Sequence, residues 1–149
     1  ALVSGGAVYL PSHGLHALEP GPDGRGFDRL WHEQRLSSGP SSPVADDGRV
    51  YTLKSPNILV CGDAKTGEVL WQLRLKGKFW TTPAIAGGHA YCVNHDGEVH
   101  VVRLGDDEGE VVATNQIDKA VLASPAVADG AIYFRSDEHL WKVSSAASL

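Results

Sequence analysis

The chain of 149 residues has no methionine, only two cysteines and few aromatic residues, and nowhere a long apolar run. A helix that crosses a membrane needs about 18 or more consecutive apolar residues, so no segment of this kind is expected. Lys and Arg together number 13 against 18 Asp and Glu, for a net charge of −5. Nucleic-acid binding rests on clustered cations and is therefore not favoured. No stretch sustains the 3.6-residue apolar period of an amphipathic helix, so almost no helix is expected. Cys61 and Cys92 are expected to be unpaired and buried, because a free cysteine behaves as a small apolar side chain. A bridge between them would need α-carbons within about 7 Å.

What the chain does have is a repeat. Ser42-Pro43-Val44-Ala45-Asp46-Asp47-Gly48-Arg49-Val50-Tyr51 recurs as Thr82-Pro83-Ala84-Ile85-Ala86-Gly87-Gly88-His89-Ala90-Tyr91 and as Ser124-Pro125-Ala126-Val127-Ala128-Asp129-Gly130-Ala131-Ile132-Tyr133. A shortened copy, Leu2-Val3-Ser4-Gly5-Gly6-Ala7-Val8-Tyr9, opens the chain, so the tyrosines stand 42, 40 and 42 residues apart. Proline has no amide donor and suits the start of a strand. The Asp-Gly or Gly-Gly pair supplies a tight turn into a second strand that ends after the tyrosine. Further on, Asp63-Ala64-Lys65-Thr66-Gly67-Glu68-Val69-Leu70-Trp71 places a Thr-Gly turn between two apolar arms, which predicts a second hairpin.

Four strands in a period of about 40 residues is the signature of a β-propeller blade. The expected fold is therefore all-β, a partial propeller of four-stranded antiparallel blades at about 1–39, 40–78, 79–120 and 121–149. The last blade is expected to lack its outer strand, because the residues after Ser144 are few and small. With no initiator methionine and a start inside a strand, the chain reads as the C-terminal part of a larger propeller, its N-terminal blades missing. Blades bury their faces only against neighbours, so open ends predict marginal stability, and bare strand edges invite pairing between chains.

The segment Cys61-Gly62-Asp63-Ala64-Lys65-Thr66-Gly67-Glu68-Val69-Leu70-Trp71 resembles the tryptophan-docking motif of the PQQ-like propeller repeats, with Cys61 in a slot usually held by alanine and Glu68 in one held by lysine. The resemblance implies that Asp63, Thr66 and Gly67 shape the turn. It also implies that Trp71 and its counterpart Trp31 pack between blades against the glycine of a neighbouring turn. The third copy is degraded and has Val112 in the tryptophan slot; Trp141 lies one strand earlier and is not equivalent. Two kinds of protein carry such repeats. Quinoprotein dehydrogenases hold PQQ and calcium and oxidise alcohols or sugars. Non-enzymatic propellers, including those similar to the outer-membrane assembly factor BamB, bind partner proteins. No adjacent cysteine pair of the enzymes is present, and no acidic cluster outside the Asp106 turn offers the several oxygen ligands calcium needs. The resemblance thus favours a scaffold without a cofactor, which binds a protein partner in the periplasm or cell envelope. A fragment of a PQQ- and calcium-dependent dehydrogenase is the alternative.

The candidate binding face is the one that gathers the loops between second and third strands with those leading into first strands, since loops held by a rigid scaffold carry function. It offers Lys78, Phe79 and Trp80, His95 and Asp96, and Arg135. A tryptophan beside cations has the composition of an interaction hot spot and also suits a flat ligand, whereas a core plug near the channel is the structural alternative for Trp80. The run Asp106-Asp107-Glu108-Gly109-Glu110 is expected to be a solvated turn. The pairs His13 with His16 and His95 with His100 have no recognised metal spacing, and no metal site, catalytic residue or Ser-His-Asp triad is expected.

Overall fold

The computed structural model describes residues 1–117 and 120–144. They form four antiparallel sheets, each meandering in chain order. The first contains β1 (Leu2–Ser4), β2 (Ala7–Pro11), β3 (Leu15–Pro20) and β4 (Phe27–Glu33). The second contains β5 (Val44–Asp46), β6 (Arg49–Lys54), β7 (Ile58–Asp63) and β8 (Val69–Arg74). The third contains β9 (Ala84–Ala86), β10 (His89–Val93), β11 (Glu98–Leu104) and β12 (Gly109–Gln116). The fourth has three strands among the described residues, β13 (Ala126–Ala128), β14 (Ala131–Arg135) and β15 (Leu140–Ser144). Residues 145–149, where its outer strand was at issue, lie outside the described residues. Helix is confined to one 3-10 turn, Gln34–Leu36, among the described residues.

Each sheet begins with the same two-residue turn. Its two central residues both have positive φ: Gly5 and Gly6, Asp47 and Gly48, Gly87 and Gly88, Asp129 and Gly130. This is the type I′ geometry, whose twist matches that of the flanking strands and which glycine and aspartate tolerate. The repeated motif is thus explained by local backbone conformation.

Register then lines up one residue per strand across the sheets. Tyr9, Ala17 and Trp31 stand side by side in the first, Tyr51, Cys61 and Trp71 in the second, and Tyr91, Val101 and Ala113 in the third. A bulge follows the central member each time, at Ala17/Leu18, Cys61/Gly62 and Val101/Val102. The tryptophan slot of the third blade is therefore Ala113 and not Val112. The differing hairpin lengths shift the count by one, onto the bulged residue Val112, which spacing alone does not reveal.

Alternation puts one face of each sheet toward the preceding blade and the other toward the next. Tyr9, Leu15, Ala17 and Trp31 pack on Val50, Val60 and Leu36. Tyr51, Leu53, Leu59, Cys61 and Trp71 pack on Ala90, Cys92 and Val102. Val93, Val99 and Val121 pack on Phe134. Both cysteines are free and buried in the second of these interfaces. Burial holds their thiols up, Cys61 to about 11 and Cys92 to about 12.

Candidate functional site

Two sets of residues were expected to matter, the docking turn and the loop face. In the turn, the Asp63 carboxylate accepts from the Lys65 and Thr66 amides, each at 2.8 Å, and from the Thr66 hydroxyl at 3.0 Å. The Thr66 hydroxyl in turn accepts from the Glu68 amide at 3.2 Å. Hydrogen bonds from the Thr66 amide first hold the Asp63 carboxyl below its ordinary range, against some desolvation. Gly67 closes the turn at φ +76, and a β-carbon there would lie 2.6 Å from the Trp31 ring. Only glycine satisfies both the backbone and the approach of the indole. Trp31 of the first blade donates its Nε1 proton to the Ala64 carbonyl at 3.0 Å, beside Tyr9, whose hydroxyl reaches the same oxygen at 3.2 Å.

The arrangement recurs one blade on, with different residues. Trp71 donates to the Gly105 carbonyl at 3.1 Å and lies over Gly109, where a β-carbon would come within 2.8 Å of the ring. Arg49 donates to the same carbonyl at 2.7 Å and pairs with the Asp106 carboxylate. The acidic turn expected to be merely solvated is thus the receptor for Trp71 and Arg49 of the preceding blade. Its carboxylates do face water, Asp106 being 90% exposed, but its backbone is committed. The resemblance implied that Trp71 meets the glycine of a neighbouring turn, but no sequence signal marked Arg49 or the Gly105 carbonyl, because the acceptor is a backbone group.

On the loop face, the segment before β9 meets the loop between β6 and β7. They enclose a groove of about 440 Å³ floored by Leu53 and Phe79, flanked by Pro40, Pro56 and Trp80, with Lys54 and Lys78 at its rim. Trp80 is 58% exposed, so it does not plug the core. Phe79 is half-buried and packs against His100, with ring centroids 5.8 Å apart, so only part of it faces the groove. The groove is rigidly built: Gly39 donates to the Leu53 carbonyl at 3.2 Å, Leu75 to that of Asn57 at 2.8 Å, and Arg74 to that of Pro56 at 3.2 Å. The Lys54 ammonium donates to the Arg35 carbonyl at 3.1 Å.

The remaining candidates are not gathered there. His95 and Asp96 occupy the next loop, tied to the groove segment by the His95 amide donating to the Lys78 carbonyl at 2.8 Å. Arg135 lines a separate, smaller cleft with Leu122, Ala123, Ser136 and Asp137. Two arrangements went unnoticed in the sequence. Asn94 is fully buried and organises its loop: its amide donates to the Lys76 carbonyl and the Glu98 carboxylate, and its oxygen accepts from the Asp96 and Glu98 amides. An Asn-x-Asp-Gly turn is the signal that could have found it. His16 does not pair with His13 but stacks on His32, directly opposite on the next strand, with centroids 4.1 Å apart. His100 is buried and bonds the Lys76 carbonyl, at 3.0 Å. Among the described residues, no three His, Cys, Asp or Glu side chains are grouped to hold a metal, and no helix is long and apolar enough to cross a membrane.

Comparison with known proteins gives a consistent outcome. The family model described as outer membrane protein assembly factor BamB matches residues 14–112. The protein of that name from Alkalilimnicola ehrlichii is 28% identical over 97 residues, which are 64% of this chain and 25% of that protein. The crystal structure of BamB from Moraxella catarrhalis superposes with a TM-score of 0.72 at 18% identity, covering 93% of this chain and 40% of that one. A europium-containing methanol dehydrogenase superposes with a TM-score of 0.58 at 13% identity, covering 75% of this chain and 23% of the enzyme. These last two likenesses show the propeller fold alone. The chain spans about a quarter of its curated relative's length.

Proposed function

We propose a binding role for this chain, which belongs to the family of the outer membrane protein assembly factor BamB: a non-catalytic propeller scaffold that engages a protein partner through its loop face, in the cell envelope. The observation that carries this role is Trp80, a large apolar side chain left 58% exposed beside a groove whose walls are already held by backbone hydrogen bonds. Preorganised walls lower the ordering cost of association, and an exposed tryptophan in a rigid setting is the usual centre of a binding hot spot. The relative from Alkalilimnicola ehrlichii is named for outer membrane protein assembly, so the partner we propose is another component of that process.

The second reading, a fragment of a PQQ- and calcium-dependent dehydrogenase, has the fold shared with the methanol dehydrogenase in its favour. Against it, calcium takes six to eight oxygen ligands, and among the described residues no three His, Cys, Asp or Glu side chains are grouped.

A photo-cross-linking residue placed at position 80, and in a control at position 47 on the opposite turns, tests the binding role in envelope extracts. An adduct with an outer-membrane assembly component from position 80 alone is the expected result. Equal adducts from both positions, or saturable binding of PQQ with calcium followed by dye reduction, would overturn it.

A further inference from the structure

The repeat supplies its own control for the Trp80 groove. Counting back from Pro43, Pro83 and Pro125, position 80 corresponds to Pro40 and Leu122, and position 78 to Ser38 and Ala120. Counting on from the tyrosines, Lys54 corresponds to Ser12, Asn94 and Ser136. The equivalent cleft between the first and second blades is lined by Pro11, His13, Pro40 and a run of serines, with no tryptophan and no lysine. In the fourth blade, Leu122 at the position of Trp80 lines only a small cleft with Ala123, Arg135, Ser136 and Asp137, again without tryptophan or lysine. Proline and leucine therefore serve the blade where Trp80 stands, and serine, asparagine and alanine serve where the lysines stand. The fold does not require an indole and two lysines along this groove.

Charge sharpens the point. The chain carries −5 overall, yet no carboxylate lines the groove while Lys54 and Lys78 both do, and Lys76 stands exposed two residues before Lys78. Resting on the binding role above, we propose that this groove takes an extended acidic peptide segment of the partner. An aliphatic or proline residue of that segment stacks on Trp80 over the Phe79 and Leu53 floor, and flanking Asp or Glu carboxylates meet Lys54 and Lys78. The prolines Pro40 and Pro56 give the groove rigid apolar walls suited to an extended backbone. The charge contrast with the rest of the surface steers an acidic segment here and away from other loops.

The probe is a fluorescein-labelled eight-residue peptide alternating Asp or Glu with Leu or Pro, titrated with the 149-residue chain and followed by anisotropy. The same peptide with Asn and Gln in place of the acids serves as comparison. The acidic peptide is expected to bind with Kd of about 10 to 100 μM, weakening as salt rises from about 0.05 to 0.5 M, and the amide peptide at least about tenfold more weakly. Trp80→Ala lowers affinity by about tenfold or more, and Lys54→Gln with Lys78→Gln by about fivefold. Leu122→Ser, in the equivalent cleft, leaves binding unchanged, and circular dichroism checks that each variant folds. Equal binding of both peptides, indifference to Trp80→Ala, or binding only to anionic lipid vesicles overturns the proposal. A position-80 adduct with no acidic-peptide binding rejects the acidic segment and leaves the scaffold role standing; loss of both rejects the two together.

Discussion

The second and fourth blades carry the same repeat and live in different surroundings. Leu59 of the second, at the strand position two before Cys61, is fully buried; Leu140, its counterpart in the fourth, is 72% exposed. Leu15 and Val99, in the same place in the other blades, are 0% and 3% exposed. At the opposite end, Leu10 is 42% exposed where Thr52, Cys92 and Phe134 are buried. A blade thus makes its faces apolar by its own pattern, but whether a face is dry depends on the neighbour. The fourth blade departs further: Lys142 holds the slot of Ala17, Cys61 and Val101, and its ammonium lies 6.0 Å from the Tyr133 ring.

Removing an interblade anchor should break the second blade's advantage most severely. Trp71→Ala deletes buried indole packing and the bond to Gly105, at a cost of about 3–5 kcal/mol in urea denaturation. Next comes the direct contrast. Leu59→Ala should cost about 2–5 kcal/mol, and Leu140→Ala no more than about 0.5 kcal/mol. Equal losses would mean that the outer face of the fourth blade is covered in solution, and the contrast would fall. Smaller again is the effect of Asp63→Asn, about 1–2 kcal/mol from the weakened hydrogen bonds to Lys65 and Thr66. Because the Asp63 carboxyl sits below its ordinary value in the fold, its stabilisation is present above the ordinary carboxylate range and is lost as pH falls through the folded value. The variant should therefore show a flatter acid limb in a pH series of denaturation midpoints.

At neutral pH the smallest effect belongs to the thiols. Cys61 and Cys92 are held up to about 11 and about 12, whereas an unfolded thiol ionises near about 8.5. Stability is therefore complete below that unfolded value and declines as pH rises from there toward the folded values. Cys92→Ala should reduce this alkaline decline, with each unit above the unfolded pKa counting for at most about 1.4 kcal/mol per thiol. A slope unchanged by the substitution would show that the thiol is not the group responsible.

Much of this was legible because it is local. The Asp-Gly and Gly-Gly pairs dictate type I′ turns, and β-branched alternation dictates the strands between them. The Thr-Gly turn and Trp71 could be read together because glycine alone admits both the left-handed backbone and the indole above it. Ala113 could not be read, since the third hairpin differs in length from the second and no tryptophan marks the slot. The Gly105 carbonyl could not be read as the meeting point of Trp71 and Arg49, because a carbonyl acceptor has no residue type. For Trp80, the break in the repeat drew notice, but burial and exposure remained equally open.

By itself, then, the amino-acid sequence determined the four-fold repetition, the all-β blades and the family, because each rests on backbone preferences and spacings a few residues long. Tertiary structure alone decided which groups meet across blades. It placed Trp71 and Arg49 on an acidic turn, turned Trp80 outward beside a groove that Lys54 and Lys78 also line, and left Leu140 bare while burying its counterparts. Contacts between blades depend on the rotation of one sheet against the next, and that rotation is set by the summed packing of whole faces.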